Sequence, residues 1–422
     1  MKPLIWMTFL LCAIEVAQIT DAKADAFQFG ACVHLAMRRS NATSVVSALS
    51  QAGFDSLRDD VFWGEIERQR GVLQFPQSFD ELDRAVRAVH PAGGRPLLIL
   101  DYGNKFYDSG GLVITDEALD AFERYVRYVV KHFGKQVDQY EVWNEWNTGF
   151  GSNPKQSSGD PVAYYQLLKR VYQVVKSENP KAVVIGGAVA GTDVSWSNAL
   201  FHAGGLMYLD AFSVHSYTLF HLHSNPEVAI QILDNLREAM RQSSPHRDIP
   251  VFVTEMGWPT NVGHFGVSED QAAGYLIRFL ALVRARPWIA GVWWYDLIDD
   301  GASDTDAEQR FGLLRTGLSP KPAYLAAARM APLLKHSTDV HSYRLSAGGY
   351  AVTGKSDTQE WLIAWKLEPV AQGWAEGIAA ATDPGTSFDW TTTDLPDNGS
   401  PVFWGKAHGK WTMNPPVPGQ VQ

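Results

Sequence analysis

The sequence has 422 residues, is 45% hydrophobic and 19% charged, and carries a formal net charge of -10, so it can bury a large core and is not disordered by composition. The acidic balance excludes a phosphate backbone as a natural partner, because nucleic-acid affinity draws on clustered Lys and Arg. The 15 Trp supply aromatic surface, most of it expected in the core and some available to stack on the flat faces of sugars.

In chain order the first element is a leader. Met1-Lys2, an apolar run over 4–14 and small residues ending in Ala24-Asp25-Ala26 have the layout of a secretory signal peptide over residues 1–26. The apolar run is short for a bilayer span, so membrane attachment is expected only if the leader stays uncleaved. Cys12 falls within the leader, which leaves Cys32 alone in the mature chain; no internal disulfide can form, and Cys32 reads as a small buried hydrophobe.

Short apolar runs rich in β-branched and aromatic residues follow at 29–34, 54–58, 96–102, 137–144, 182–188, 211–217, 251–255 and 291–295. Helical periodicity separates them, most clearly at 115–133, 161–178, 226–242 and 268–286, with Thr115 and Ser268 as N-caps. The alternation predicts an α/β fold with a parallel sheet. A doubly wound sheet would normally show a Gly-rich phosphate loop after its first strand; none is present, and eight repeats suit a closed (β/α)8 TIM barrel over residues 27–335. After Leu334, alternating stretches at 343–345, 350–353 and 361–366 predict a small antiparallel, sandwich-like β domain over 336–422. Packing against the barrel is its expected job.

In such a barrel the active site forms at the carboxyl ends of the strands. Glu145 closes the fourth in Tyr140-Glu141-Val142-Trp143-Asn144-Glu145, and Glu255 closes the seventh in Val251-Phe252-Val253-Thr254-Glu255. A carboxylate after apolar strand residues is costly unless the strand opens on a polar cleft. Either alone is equally well read as a structural ion pair. The two together, on strands facing across the barrel mouth, suit glycosidic bond cleavage. There one carboxyl protonates the leaving oxygen and the other meets the developing oxocarbenium centre, the pair lying about 5 to 5.5 Å apart in retaining enzymes. The acidic stretch Asp299, Asp300, Asp304, Asp306 and Glu308 lacks the spacing of a calcium loop and reads as a solvated or substrate-facing loop. His202, His221 and His223 form no zinc motif, and no G-x-S-x-G elbow follows any strand, so neither a metal nor an organic cofactor is expected.

Trp143-Asn144-Glu145, Thr254-Glu255-Met256-Gly257-Trp258, and Tyr295-Asp296-Leu297-Ile298-Asp299-Asp300-Gly301 followed by Phe311-Gly312-Leu313-Leu314 resemble the clan of retaining (β/α)8 glycoside hydrolases. Within the clan the chain is most similar to family 39, and there to endoglycosidases encoded with bacterial exopolysaccharide operons. The resemblance covers roughly residues 29–334. It implies Glu145 as acid/base, Glu255 as nucleophile and Asn144 as the partner of the sugar 2-hydroxyl. It further maps an Arg that touches the nucleophile onto Arg58, and a His-x-Tyr onto His215 and Tyr217. The bland readings are that Arg58 pairs with Asp59 or Asp60 and that His215 is a satisfied core histidine. His34, Asp101, Tyr102 and Trp294 point to the rim where the clan places sugar contacts; Trp294 is the expected platform under the cleaved sugar, with Trp293 as its alternative. Trp63, Trp146 and Trp258 are expected to extend the cleft. Trp146 stands where the clan usually has Pro, so the resemblance does not carry over the local loop shape or the leaving-group subsite, while the carboxyl of Glu145 is unaffected.

The expected activity is endo-hydrolysis of a β-linked exported or biofilm-matrix polysaccharide by a monomer in the periplasm or outside the cell. An exo-acting β-xylosidase-like enzyme is the first alternative. A non-catalytic polysaccharide-binding or assembly protein is the alternative of another class.

Overall fold

The computed structural model describes residues 27–414 except 153–157, 219–224, 245, 346–347, 368–394, 397 and 408–409. The leader, the tail from Pro415, and His221 and His223 lie outside them. Strands β1 (Gln28–Cys32), β2 (Ser56–Phe62), β3 (Leu97–Asp101), β4 (Gln139–Val142), β5 (Val183–Ala190), β6 (Ala211–His215), β7 (Val251–Met256) and β8 (Ile289–Trp294) form a closed barrel in sequence order. Pairing is parallel, and the barrel closes where Ala31 of β1 meets Trp294 of β8. Each expected run yields a strand, with shifted ends: β2 runs on to Phe62, while β4 stops at Val142, before the catalytic motif.

Side chains alternate between the two faces of a strand, and the sequence uses that alternation to build two cores. Cys32, Leu97, Ile99, Ile185, Ala211, Phe252 and Trp293 form a cluster of their own that fills the barrel interior. Outward neighbours such as Leu57, Leu98, Leu100, Val142 and Trp294 join the larger core shared with the surrounding helices. The Trp293 ring is admitted by glycine: a Cβ on Gly30 would lie 2.3 Å from its Cδ1, and one on Gly291 would lie 2.8 Å from its Cζ3. Its Nε1 donates to Ser56 Oγ at 2.8 Å, so the interior plug is satisfied as well as packed.

The helices follow from their amphipathic spacing. Asp116–Phe133 buries Leu119, Phe122, Val126, Val129, Val130 and Phe133, Thr115 Oγ1 accepts from Ala118 N, and Asp116 and Glu117 complement the N-terminal dipole. Pro161–Glu178 has Asp160 as its cap, and Glu269–Arg284 has Ser268. Among the described residues no helix is long and apolar enough to cross a membrane.

Beyond the helix Pro322–Lys335, strands β9 (Thr338–Arg344), β10 (Gly349–Lys355), β11 (Glu360–Lys366), β12 (Val402–Ala407) and β13 (Lys410–Asn414) form an antiparallel sheet in the order β13-β12-β11-β10-β9. The described residues make one sheet there, where the sequence suggested a sandwich. It is tied to the barrel by Trp365, whose Nε1 donates to Glu227 Oε1, while Trp361 Nε1 donates to Ser337 Oγ in the connection after the last helix, each at 2.8 Å.

Candidate active site

Past Val142 the chain leaves the sheet through residues in the left-handed region, Trp143 at φ 66° and Glu145 at φ 52°. For non-glycine residues this costs on the order of 1–3 kcal/mol each, and surrounding contacts hold it. Trp143 N donates to Leu100 O, Glu145 N donates to Ala188 O, and the buried Trp146 anchors the following turn through Nε1 to Asp160 O. The result turns the Glu145 carboxyl into a cavity of about 290 Å³ at the barrel mouth, which Glu255 also lines. Glu255 arrives from β7 at a register shift that pairs it with His215 of β6. Oxygens of the two carboxyls and a ring nitrogen of His215 all lie within 4.8 Å of one another.

Arg58, 3% exposed, organises this floor. Its Nε donates to Glu141 Oε2 at 2.7 Å, Nη1 to Glu255 Oε1 at 2.7 Å, and Nη2 to Asn144 Oδ1 at 2.9 Å. A buried guanidinium is tolerated only with such full pairing, so neither Asp59 nor Asp60 is its hydrogen-bond partner; Asp59 instead accepts from the backbone of Leu35, Ala36 and Asp60. Tyr217 OH donates to the second oxygen of Glu255 at 2.9 Å. Burial pushes the Glu255 carboxyl upward, but the charges of His215 and Arg58 and the Tyr217 hydrogen bond outweigh it and hold the group below the usual glutamate range. His215 Nδ1 lies 2.8 Å from Glu145 Oε1 and 3.6 Å from Glu255 Oε2. Burial works against its charged form, yet Glu255 and the hydrogen bond to Glu145 raise its pKa. His215 is thus a bridge between the two carboxyls, not an isolated core histidine. These three groups offer metal-ligand geometry, but the guanidinium on Glu255 already supplies its positive charge, which opposes a cation there.

The expected contacts divide. Asn144 lines the cavity, and its Nδ2 donates to Tyr102 OH at 3.0 Å. Tyr102 and His34 also line it. His34 Nδ1 lies 2.7 Å from Asp300 and 3.6 Å from Asp296; burial disfavours its charge, but these carboxylates prevail and push its pKa up to about 9. Trp294 does not form the platform: it faces outward, 3% exposed, against Trp258, and Trp293 lies in the barrel interior. Tyr295 takes the place on the cavity wall, two residues beyond Trp293 on the inward face. Asp101 is fully buried, and Asp60 on the neighbouring strand lines the cavity in its stead. Trp63, Trp146 and Trp258 are core residues and do not extend the cleft.

Other groups in and around the site were given no individual role in the sequence, although Phe311 stands in one of the family motifs and Glu308 in the acidic stretch read as solvated or substrate-facing. Glu141 and Asp60 continue the inward faces of β4 and β2, so same-face alternation from Arg58 would have found Asp60. Phe150, Phe311 and Glu308 come from loops, where no period exists to read. Most of the acidic stretch is paired: Asp299 with Lys321 and Arg310, Asp300 with His34 and Arg39, Asp304 with Arg310. Only Glu308 of this stretch reaches the cavity with Glu145 and Glu255, and after burial it is their charge that raises its pKa.

Comparisons with known proteins converge on carbohydrate enzymes. The family model described as Cellulase (glycosyl hydrolase family 5) matches residues 20–296. A β-xylosidase from Geobacillus stearothermophilus is 25% identical over 263 residues, 54% of this chain and 50% of that protein, so the match spans about half the length of this curated relative. A family 39 glycoside hydrolase from the gut symbiont Bacteroides cellulosilyticus WH2 superposes with a TM-score of 0.68 and 28% identity over 81% of this chain and 70% of that one. A GH5_18 enzyme from Streptomyces cattleya, solved in complex with GlcNAc, shares the fold with a TM-score of 0.60 at 18% identity over 76% of this chain and 83% of that one.

Proposed function

The chain belongs to the Cellulase (glycosyl hydrolase family 5) family, and from that premise we propose that it is a retaining β-glycoside hydrolase with Glu255 as nucleophile and Glu145 as acid/base. The observation that carries this reading is the approach of the two carboxyls to within 4.8 Å, both facing one cavity. Retaining enzymes need about 5 to 5.5 Å, whereas an inverting enzyme needs about 6.5 to 9.5 Å to admit a water. In the first step Glu255 attacks the anomeric carbon while Glu145 protonates the leaving oxygen. In the second, Glu145 takes a proton from the water that displaces Glu255. The depressed pKa of Glu255 keeps the nucleophile charged, and Arg58 and Tyr217 fix its rotamer.

The finer reading is endo action on a β-linked exported or matrix polysaccharide. Beside the cavity, and sharing Tyr102 with it, runs an open groove of about 610 Å³ between the loops after β2, β3 and β4, bordered by Phe62, Asn104 and four glycines. A groove adjoining the cavity at Tyr102 supports a substrate longer than one sugar. The β-xylosidase relative supports the exo-acting alternative. The leader motif supports export, and a chain working on a polymer is expected to act as a monomer.

Glu255→Gln is expected to lower kcat by on the order of 10³-fold or more on an aryl β-glycoside. Proton NMR of the first product, before mutarotation, is expected to show the β anomer; the α anomer would defeat the retaining assignment. Product sizing on candidate polysaccharides separates the modes of attack. Oligosaccharides appearing from the outset indicate endo action, and monosaccharides alone defeat it.

A further inference from the structure

Asp101, the last residue of β3, is fully buried beneath the cavity wall. Neither of its carboxyl oxygens accepts from any N–H or O–H donor among the described residues. Asp60 is its diagonal neighbour across the β2–β3 ladder, where Asp60 pairs with Ile99 and Phe62 with Asp101, and the two carboxyl groups lie close enough to share a proton. Two carboxyl groups stay in contact only when a proton lies between them. Asp60 is two residues beyond Arg58 on the inward face of β2 and lines the same cavity as Glu145 and Glu255. The shared proton therefore belongs on the sealed member, and the charge on the member that looks into the cavity.

We propose that Asp60 is a substrate-reading carboxylate, accepting hydrogen bonds from hydroxyl groups of a neutral sugar ring bound over Glu255, and that Asp101 is a positioning residue that holds it by donating that proton. The inference rests on the glycosidase reading for the identity of the ligand. The acceptor character of this wall follows from the pairing around it: the Arg58 nitrogens are committed to Glu141, Glu255 and Asn144, and His34 Nδ1 to Asp300. A sugar hydroxyl finds an acceptor in Asp60, while a uronate carboxylate at this wall meets charge of its own sign.

The charged and titratable groups around the pair agree with this placement of the proton. Burial acts first, pushing both carboxyls upward. For Asp60 this is opposed by the hydrogen bond from Asp101 and by Arg58 and His34, with Glu255 acting the other way. For Asp101 it is reinforced by Asp60 and Glu141 and only partly offset by Arg58, which leaves it well above the usual carboxyl range. Asp59, Tyr102 and Tyr125 complete the surroundings, each interacting with one or both members. Loss of the shared proton at high pH would set two buried carboxylates against each other and displace Asp60. An Asn at position 101 donates through an amide N–H that does not titrate.

The test compares wild type, Asp60→Asn, Asp101→Asn and Asp101→Leu on whichever of the 4-nitrophenyl β-D-xyloside, β-D-glucoside and β-D-mannoside the wild type hydrolyses fastest. Asp60→Asn is expected to raise KM about ten- to hundredfold, and Asp101→Leu to behave like it. Asp101→Asn should stay within about threefold of wild type while losing the rise of KM at alkaline pH. An unchanged KM in Asp60→Asn, or equal impairment in Asp101→Asn and Asp101→Leu, overturns the proposal. Infrared difference spectra between wild type and Asp101→Asn provide a readout that needs no substrate. A carboxylic-acid carbonyl band present at pH 7 in the wild type and missing from the variant is expected, and no difference overturns the assigned proton. Failure of the wild type on all three glycosides removes the sugar-reading role together with the glycosidase reading, whereas the infrared result still decides the proton.

Discussion

The state of Glu255 is imposed by its neighbours. Burial alone would keep it protonated, and His215, Arg58 and the phenol of Tyr217 reverse that preference. Tyr217→Phe removes one donor with little change of shape, so the carboxyl pKa should rise. Since the nucleophile must be ionised, the acid limb of the kcat/KM profile is expected to move to higher pH, and activity should be lost sooner as pH falls. A pH–rate profile measures this directly, and an unmoved limb would show that Tyr217 does not act on Glu255. Glu145, Glu255 and Tyr217 were legible because each stands at or near a strand end within a short motif, and Arg58, inside β2, was reached through the family resemblance; the structure brings all four to one place. Trp294 and Asp101 were not. Facing at the mouth depends on parity, and the β7–β8 pairing shifts register between Val253 and Met256, so counting from a motif does not settle which of Trp293, Trp294 and Tyr295 reaches the cavity. Asp101 has the inward parity but is fully buried and outside the cavity lining, whereas Asp60 on the neighbouring strand reaches the opening.

At the scale of elements, the barrel is stitched at its mouth as well as along its ladders. His34, just past β1, joins the loop after β8 by contacting Asp300 and Asp296, and Arg39 binds the same Asp300. The pKa of His34 rises from 6.5 to about 9 in the folded protein. A raised histidine stabilises fully below its unfolded value, and that contribution disappears as pH climbs through the folded value. His34 therefore favours the folded state most below pH 6.5 and loses this contribution by about pH 9. The shift corresponds to about 3 kcal/mol. Urea denaturation across this interval is expected to show stability declining in the wild type and a flatter curve in His34→Gln; identical slopes would rule the clip out as their source. The eight strands and the main helices could be read from period and caps, since long segments average over many side chains. The ends could not, because pairing with neighbours decides where a strand stops: β4 gives way at Trp143 to left-handed backbone that no propensity favours. Strands β12 and β13 were missed for a related reason, being short and far along the chain from the β11 edge they extend.

For the whole molecule, the question is what fastens the C-terminal sheet to the barrel. Arg278, with no exposed surface, lies in a barrel helix and binds both oxygens of Glu227, at 2.9 Å through Nε and 2.5 Å through Nη2. Trp365 of β11 donates to the same carboxylate, its ring lies 5.8 Å from the guanidinium, and Gly399 O accepts from Nη1. One acidic side chain thus satisfies a barrel cation and a sheet indole at once. Removing one partner of a buried pair costs about 3–5 kcal/mol, because the other charge stays desolvated. Glu227→Ala should therefore lower Tm by several degrees or more, whereas Trp365→Phe, which keeps the ion pair and most of the packing, should cost far less. The node is separate from the groups that face the catalytic cavity, so kcat measured well below the transition is expected to stay at the wild-type value in both variants. Calorimetry with parallel kinetics tests this. A Glu227→Ala protein with unchanged Tm would show that the joint is held elsewhere, and one that stays folded but loses kcat would mean the sheet is coupled to the barrel mouth through the helices it covers.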